Sequence, residues 1–179
     1  MKGVVFNLLA ETVSNAHGEE AWDGLLAAAG LDGAYTSLGS YPDEEMSNLV
    51  TVAAEVLGIS PNDVLRWFGR SAMPLLATRY GVFFEGHQSA RSFLFSVNDI
   101  IHPEVRKLYA GAGCPHFQFK DGADGRLLIG YQSPRQLCHL AHGFIEGAAD
   151  HYHETIDVEH LACMQKGSPT CRLALRWVS

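Results

Sequence analysis

No stretch of this 179-residue chain holds the roughly 18 uninterrupted apolar residues that a helix needs to cross a bilayer. Arg, Asp, Glu and Gly break every hydrophobic run, which excludes membrane insertion. The opening, Met1 to Val13, carries Lys2 but reaches Glu11 without an apolar core of the secretory kind, so the expected location is the cytoplasm. Basic charge is scarce: 13 Lys and Arg against 20 Asp and Glu give a net charge of -7. No face concentrates Lys or Arg, and nucleic acid is not an expected partner. Repeats, low-complexity tracts and flexible linkers are missing too, which leaves one domain over 1–179. Cysteine is limited to four residues, and without a leader these are more often free thiols or metal ligands than disulfides.

What is present suffices for a core. Hydrophobic residues make up 47% of a chain whose mean hydropathy is about zero, and a chain of this size buries roughly 70% of its unfolded surface. Histidine is abundant, with nine residues, of which His116, His139, His142, His151, His153 and His160 fall at or beyond position 116. Metal chemistry is therefore a live question.

Hydrophobic periodicity divides the chain into a helical part, about 1–110, and an α+β part, about 111–179. Met46, Leu49, Val50, Ala53, Val56 and Leu57 recur at helical spacing after Asp43-Glu44-Glu45, which suits a helix N-terminus, and Gly58 closes the segment. Ser60-Pro61 opens another helix that buries Val64, Phe68, Ala72, Leu75 and Leu76 before Gly81. Further helices are expected near 3–16, 19–30 and 88–97. After Pro115 the alternation of 116–120 and 126–131 about an Asp-Gly-rich turn predicts a hairpin. A helix from about Gln136 to Tyr152 follows, and a second hairpin pairs 155–162 with 171–178.

Two constellations carry chemistry. His102 precedes Pro103 and follows Ile100 and Ile101, so it should stand at or just before a helix start beside an apolar wall. It is either a hydrogen-bonded core or capping histidine, or an axial metal ligand whose second nitrogen is fixed by an acceptor. In Tyr131-Gln132-Ser133-Pro134-Arg135, a period of two places Tyr131, Ser133 and Arg135 on one face, where two hydroxyls and a guanidinium suit a carboxylate. Ordinary polar residues at a strand end would give the same spacing.

Together the opening Met1-Lys2-Gly3-Val4-Val5-Phe6-Asn7, the stretch Gly18 to Asp23, the turn Leu57-Gly58-Ile59-Ser60, the His102 segment and Tyr131-x-Ser133-x-Arg135 resemble the haem nitric oxide/oxygen-binding family, H-NOX, related to the sensor domain of soluble guanylate cyclase. The resemblance covers essentially the whole chain. It implies an α+β fold in which an N-terminal helical cluster and a C-terminal antiparallel sheet with a long helix enclose a non-covalent haem b. The absence of Cys-x-x-Cys-His agrees with non-covalent attachment. By the resemblance, His102 is the iron ligand, Tyr131, Ser133 and Arg135 hold the propionates, and Pro115 presses on the porphyrin. Oxygen-binding members place a tyrosine five residues beyond the motif arginine, where this chain has Leu140. Bound oxygen needs a polar partner and nitric oxide does not, so the resemblance implies a sensor that takes nitric oxide and rejects oxygen. Val5, Leu9 and Leu140 are the candidates for the apolar distal wall.

Near the C-terminus, Cys138, His160, Cys163 and Cys171 have spacing compatible with a closed zinc site of three sulfurs and one nitrogen, provided a bulge or strand end separates His160 from Cys163. Unrelated buried thiols or a Cys163 to Cys171 disulfide are the alternatives, and a subset of the family with cysteines in this arrangement binds zinc. Cys114 is expected to be a core thiol. His17, His87, His116, His139, His142, His151 and His153 are expected to cap, face solvent or satisfy core hydrogen bonds.

The expected function is a nitric oxide sensor in which loss of the bond to His102 frees its segment to move. A chain of this length leaves no room for an effector. The family likeness therefore implies a separate partner, a histidine kinase or a cyclic-di-GMP enzyme. A zinc and thiol redox sensor with a structural haem is the alternative. No nucleophile and base set stands in a recognisable context, so catalysis is not expected.

Overall fold

The computed structural model describes residues 1–178 and consists of seven α-helices and a four-stranded antiparallel sheet. Helices α1 (Gly3–His17), α2 (Glu19–Ala29), α3 (Asp43–Leu57) and α4 (Pro61–Arg79) form the N-terminal cluster. Local chemistry sets their ends. Ser60 caps α4 by accepting a 3.1 Å hydrogen bond from the Asp63 amide, and Gly58 closes α3 at φ 65°, a conformation that suits glycine. This cluster buries Phe6, Met46, Leu49 and Phe68.

Helices α5 (Ala90–Ser96) and α6 (His102–Leu108) were expected to be separated by the Pro103 break. They are joined instead by a π-helical turn, Val97–Ile101, so that one helical run continues from Ala90 to Leu108. The His102 amide donates to the Val97 carbonyl, five residues back. Widening the turn accommodates a proline that has no amide hydrogen to give, and such turns concentrate at functional sites.

Strands β1 (His116–Asp121), β2 (Leu127–Gln132), β3 (Thr155–Ala162) and β4 (Cys171–Val178) pair in the order β1-β2-β4-β3. The long helix α7 (Cys138–His151) packs between this sheet and α4. Leu127, Ile129, Leu173 and Leu175 form the sheet core with Ala148 and Ala149 of α7. Leu140 of α7 belongs instead to the helical cluster, and Leu76 and Phe144 touch both cores. The register of β3 against β4 shifts between His160 and Ala162, so the expected bulge is present.

Glycine lets α4 and α7 approach closely. A methyl carbon on Gly69 would collide with the Leu140 carbonyl, and one on Gly143 with the Arg66 carbonyl. Alongside, Arg66 donates to both oxygens of Glu146 at 2.7 and 2.5 Å, and Arg70 to both oxygens of Asp150 at 2.6 and 2.9 Å. Burial works to raise the Glu146 pKa, but the hydrogen bonds from Arg66, with the His142 ring nearby, outweigh it and hold the carboxyl down at about 2, against 4.5 for a free side chain. The folded pKa lies below the unfolded one. This contribution to stability is therefore complete above the unfolded value and disappears as pH falls through the folded one. Denaturant titration of Glu146→Gln is expected to show a loss of about 2 kcal/mol at neutral pH, shrinking toward nothing by the acid end of that window.

Candidate functional site

Between the helical cluster and the sheet lies a cavity of 540 Å³, within the range of ligand sites. Val4, Val5 and Leu8 enter it from α1, Met73 and Leu76 from α4, and Leu140, Ala141 and Phe144 from α7. The helical run supplies Val97, Ile101 and His102, and the sheet supplies Phe117, Ile129 and Tyr131. Almost every wall is apolar, because each element presents its core-facing stripe to the same space.

His102 is one of the polar exceptions. Its ring lies against Phe117, with centroids 5.9 Å apart, and its Nδ1 is buried without a hydrogen-bond partner. Burial first and Arg106 second depress its pKa to about 4, opposed by the nearby carbonyl of Pro115. The ring is neutral at physiological pH and offers a lone pair, as a metal ligand must. Asn98, which sequence reasoning passed over, fixes this segment. Its side-chain amide donates to the Phe117 carbonyl at 2.6 Å and accepts from the Phe117 amide at 3.2 Å, tying the π-turn to the end of β1.

Tyr131, Ser133 and Arg135 all line the cavity, but not as alternate residues of one strand. β2 ends at Gln132, and Ser133 to Gln136 form a turn in which the Gln136 amide donates to the Ser133 carbonyl at 3.1 Å and Gln136 has a φ of 53°. That geometry also delays the helix start from the expected Gln136 to Cys138. The Tyr131 hydroxyl accepts from the Leu137 amide at 3.0 Å, and the Ser133 hydroxyl accepts from the Arg135 amide at 3.3 Å. Arg135 donates to Asp43 Oδ1 at 2.9 Å and to the Gly113 carbonyl at 2.7 Å. Asp43 was read as helix-terminal charge alone; no local signal ties it to a residue so distant in sequence.

Pro115 lines the cavity just before β1, and Val5 and Leu140 line it as well. Leu9 does not. It turns into the helical core, and Leu8, three residues after Val5, takes the cavity-facing position. Cys114 also departs from expectation: it is half-buried and lines the cavity rather than the core, and burial pushes its thiol pKa up. Two further cavity residues, Tyr80 and Tyr109, hydrogen-bond to each other through their hydroxyls at 2.9 Å.

Of the four residues expected to form a zinc shell, the three thiols share one core, and His160 stacks on His139 with ring centroids 4.3 Å apart. Cys138, Cys163 and Cys171 are buried in the same core, and Cys138 Sγ lies 3.7 Å from Cys163 Sγ. His160 faces His142 instead, and the imidazole nearest Cys138 and Cys163 belongs to His139. Spacing along the chain singled out one imidazole, and α7 brings two others to the same place. Their separation on α7, three residues apart on one helix face, was the available signal. Burial first, then the neighbouring His139 and His142, depress the His160 pKa to about 4. Among the described residues no helix is long and apolar enough to cross a membrane.

The family described as Haem-NO-binding matches residues 2–160. A stretch of 58 residues is 36% identical to guanylate cyclase soluble subunit beta-2 of Rattus norvegicus, covering 32% of this chain and 8% of that protein. The chain thus spans a small fraction of that curated relative. An H-NOX protein from S. oneidensis in the Fe(II)NO ligation state is 32% identical, with a TM-score of 0.91 and 100% of both chains covered. An NMR structure of an H-NOX domain from Shewanella oneidensis in the Fe(II)CO ligation state is 32% identical, with a TM-score of 0.88 over 100% of this chain and 99% of that one. The unliganded Fe(II) H-NOX protein from K. algicida, 23% identical, shares the fold at a TM-score of 0.87 over 100% and 97% of the two chains.

Proposed function

The chain belongs to the haem-NO-binding family, the H-NOX proteins, a family of haem-based gas sensors, and on that premise we propose that it senses nitric oxide, excludes oxygen and signals in trans. The observation that carries the reading is the buried, partnerless Nδ1 of His102 on the wall of an apolar cavity whose edge carries Arg135 and Ser133. That donor set fits haem b: one neutral imidazole for the iron, apolar walls for the ring, and a guanidinium with hydroxyls for its carboxylates. Bound haem would supply a ferrous centre, which takes nitric oxide strongly without a polar partner.

The protein's own residues do the rest. Tyr131 and Ser133 are oriented by the turn amides of Leu137 and Arg135, so two cavity-edge hydroxyls are fixed before any ligand arrives. Arg135, held by Asp43 and Gly113, keeps a charged donor at the same edge. Val5, Leu8 and Leu140 present no hydrogen-bond donor. This apolar wall supports exclusion of oxygen, which gains from a donor as nitric oxide does not. His102 stands on the run from Ala90 to Leu108, so release of its ring lets that run move, and exposed Ile100 and Leu108 lie on it. The receiver is a partner protein, a histidine kinase or a cyclic-di-GMP enzyme, in the cytoplasm; catalysis by this chain forms no part of the proposal.

Absorption spectra of the purified ferrous protein test it. In air the expected spectrum stays that of five-coordinate histidyl haem, and adding nitric oxide is expected to remove the histidine signature. A stable oxygen complex would refute the assignment of Leu140, and a haem-free protein would refute the site. A second reading, a thiol redox switch with zinc, is supported by the 3.7 Å approach of Cys138 to Cys163 with Cys171 in the same core.

A further inference from the structure

The helical run that carries His102 is pinned unevenly along its length. At its start Ser89 caps α5 by accepting from the Ser92 amide at 3.2 Å, the Ala90 amide donates to Glu154 Oε2 at 3.3 Å, and Ala90, Phe93, Leu94 and Ser96 are buried. Asn98 ties its middle to β1. The last part, α6, has no fully buried residue, and its Lys107–Glu104 ion pair lies within the helix itself. Packing therefore does little to fix this end. A hydroxyl pair does it instead. Tyr109 closes α6 by donating its amide to the Val105 carbonyl at 2.8 Å, and its hydroxyl meets that of Tyr80, the residue that closes α4, at 2.9 Å. Tyr80 stands on a fixed support, since its amide donates to the Leu76 carbonyl at 2.8 Å and its ring stacks on Phe83. Burial first and the bond to Tyr80 second raise the Tyr109 pKa to about 12, so this hydroxyl keeps its proton throughout the physiological range.

We propose that Tyr80 and Tyr109 are positioning residues: their hydroxyls latch the far end of the His102 run to α4 and so set how readily the imidazole leaves its resting place. The part of this that concerns gas rests on the sensing function proposed above. With the start of the run held, a change of pitch at the π-turn Val97–Ile101 moves α6 against α4, and the hydroxyl pair must part for it. Tyr109 lies seven residues beyond His102, about 10 Å along the axis, far enough for a small rotation at the turn to separate the two oxygens. The chain beyond offers little resistance. Gly111 reverses it at φ 76°, and no regular structure follows until β1 begins at His116. Both tyrosines are only partly buried, so water meets the parted hydroxyls. Opening then costs the net strength of one hydrogen bond and not the larger penalty of stranding a buried polar group.

Tyr80→Phe and Tyr109→Phe each remove one oxygen and keep the ring. The ferrous, haem-loaded protein is read in two ways: by hydrogen exchange of the α6 amides before any gas is present, and by the rate at which the histidine signature disappears after nitric oxide is mixed in. Each variant is expected to raise both about fivefold, the factor that one net hydrogen bond of ordinary strength supplies. The double variant should go no further, because the two singles remove the same bond. Amides of α7 exchanging as in the wild type show that the fold is intact, and if one Phe variant fails that check the other carries the same expectation. Unchanged exchange in α6, faster exchange without faster loss of the signature, or single effects that simply multiply in the double variant would each overturn the latch. A wild-type protein that keeps its histidine under nitric oxide refutes the sensing function and the latch's part in it. A wild type that loses it, matched by the variants in both readouts, refutes the latch alone.

Discussion

His102→Gly is expected to abolish five-coordinate histidyl ligation of ferrous haem while leaving the fold intact. Its aromatic neighbour among the described residues, Phe117, keeps its other contacts, since it also stacks on Phe119 and meets Tyr131 edge-on. Its removal takes away a partnerless buried nitrogen rather than a hydrogen-bonded one. Loss of a direct ligand should cost more haem affinity than the roughly 10- to 100-fold that follows loss of an outer partner. Transfer of haem to an acceptor protein measures this, and free imidazole added to the variant is expected to restore much of the lost ligation by entering the vacated space. Unchanged ligation in the variant would show that another residue holds the iron.

Gly143→Ala is expected to be strongly destabilising. Its added carbon meets backbone on the facing helix, the Arg66 carbonyl, and also approaches the Arg66 carbonyl carbon at 2.8 Å and the Arg70 amide nitrogen at 2.9 Å. Side chains can turn aside; backbone in mid-helix cannot. Overpacking typically costs about 1–3 kcal/mol, and here the helices must separate, which also stretches both Arg–carboxylate pairs. A loss at or above the top of that range, read by chemical denaturation, is expected. Gly24→Ala, on the open face of α2 where nothing lies within 4 Å, is the control and should be neutral or slightly stabilising.

The elements were legible where a local rule was strong. Ser60-Pro61 and Gly58 marked helix ends because a cap and a left-handed glycine act within a few residues, and the alternation of 116–120 fixed the first hairpin. Local rules misled where tertiary structure overrides them. Pro103 ought to break a helix, yet a π-turn absorbs it; the Tyr131 to Arg135 period of two ought to be a strand, yet a turn bends it around the cavity edge. Leu8 and Leu9 are equally apolar, so nothing short of the exact helix phase could tell which one faces the cavity. Asp43 and Asn98 depend on contacts between segments far apart in sequence, for which one sequence carries no periodic trace. The family resemblance supplied His102 and the edge residues as a set; residue spacing alone left each of them with an ordinary alternative.

The wide turn beside His102 holds one residue more than regular α pitch requires. Drawing that slack into ordinary coil would swing everything beyond it by about 100° around the axis, carrying the imidazole off Phe117 and the far end of the rod with it. A continuous bend is not available to such a joint, since backbone hydrogen bonds either skip to the new partner or stay with the old one. Any motion of the imidazole carried along this run would thereby come in steps, as hydrogen bonds exchange partners.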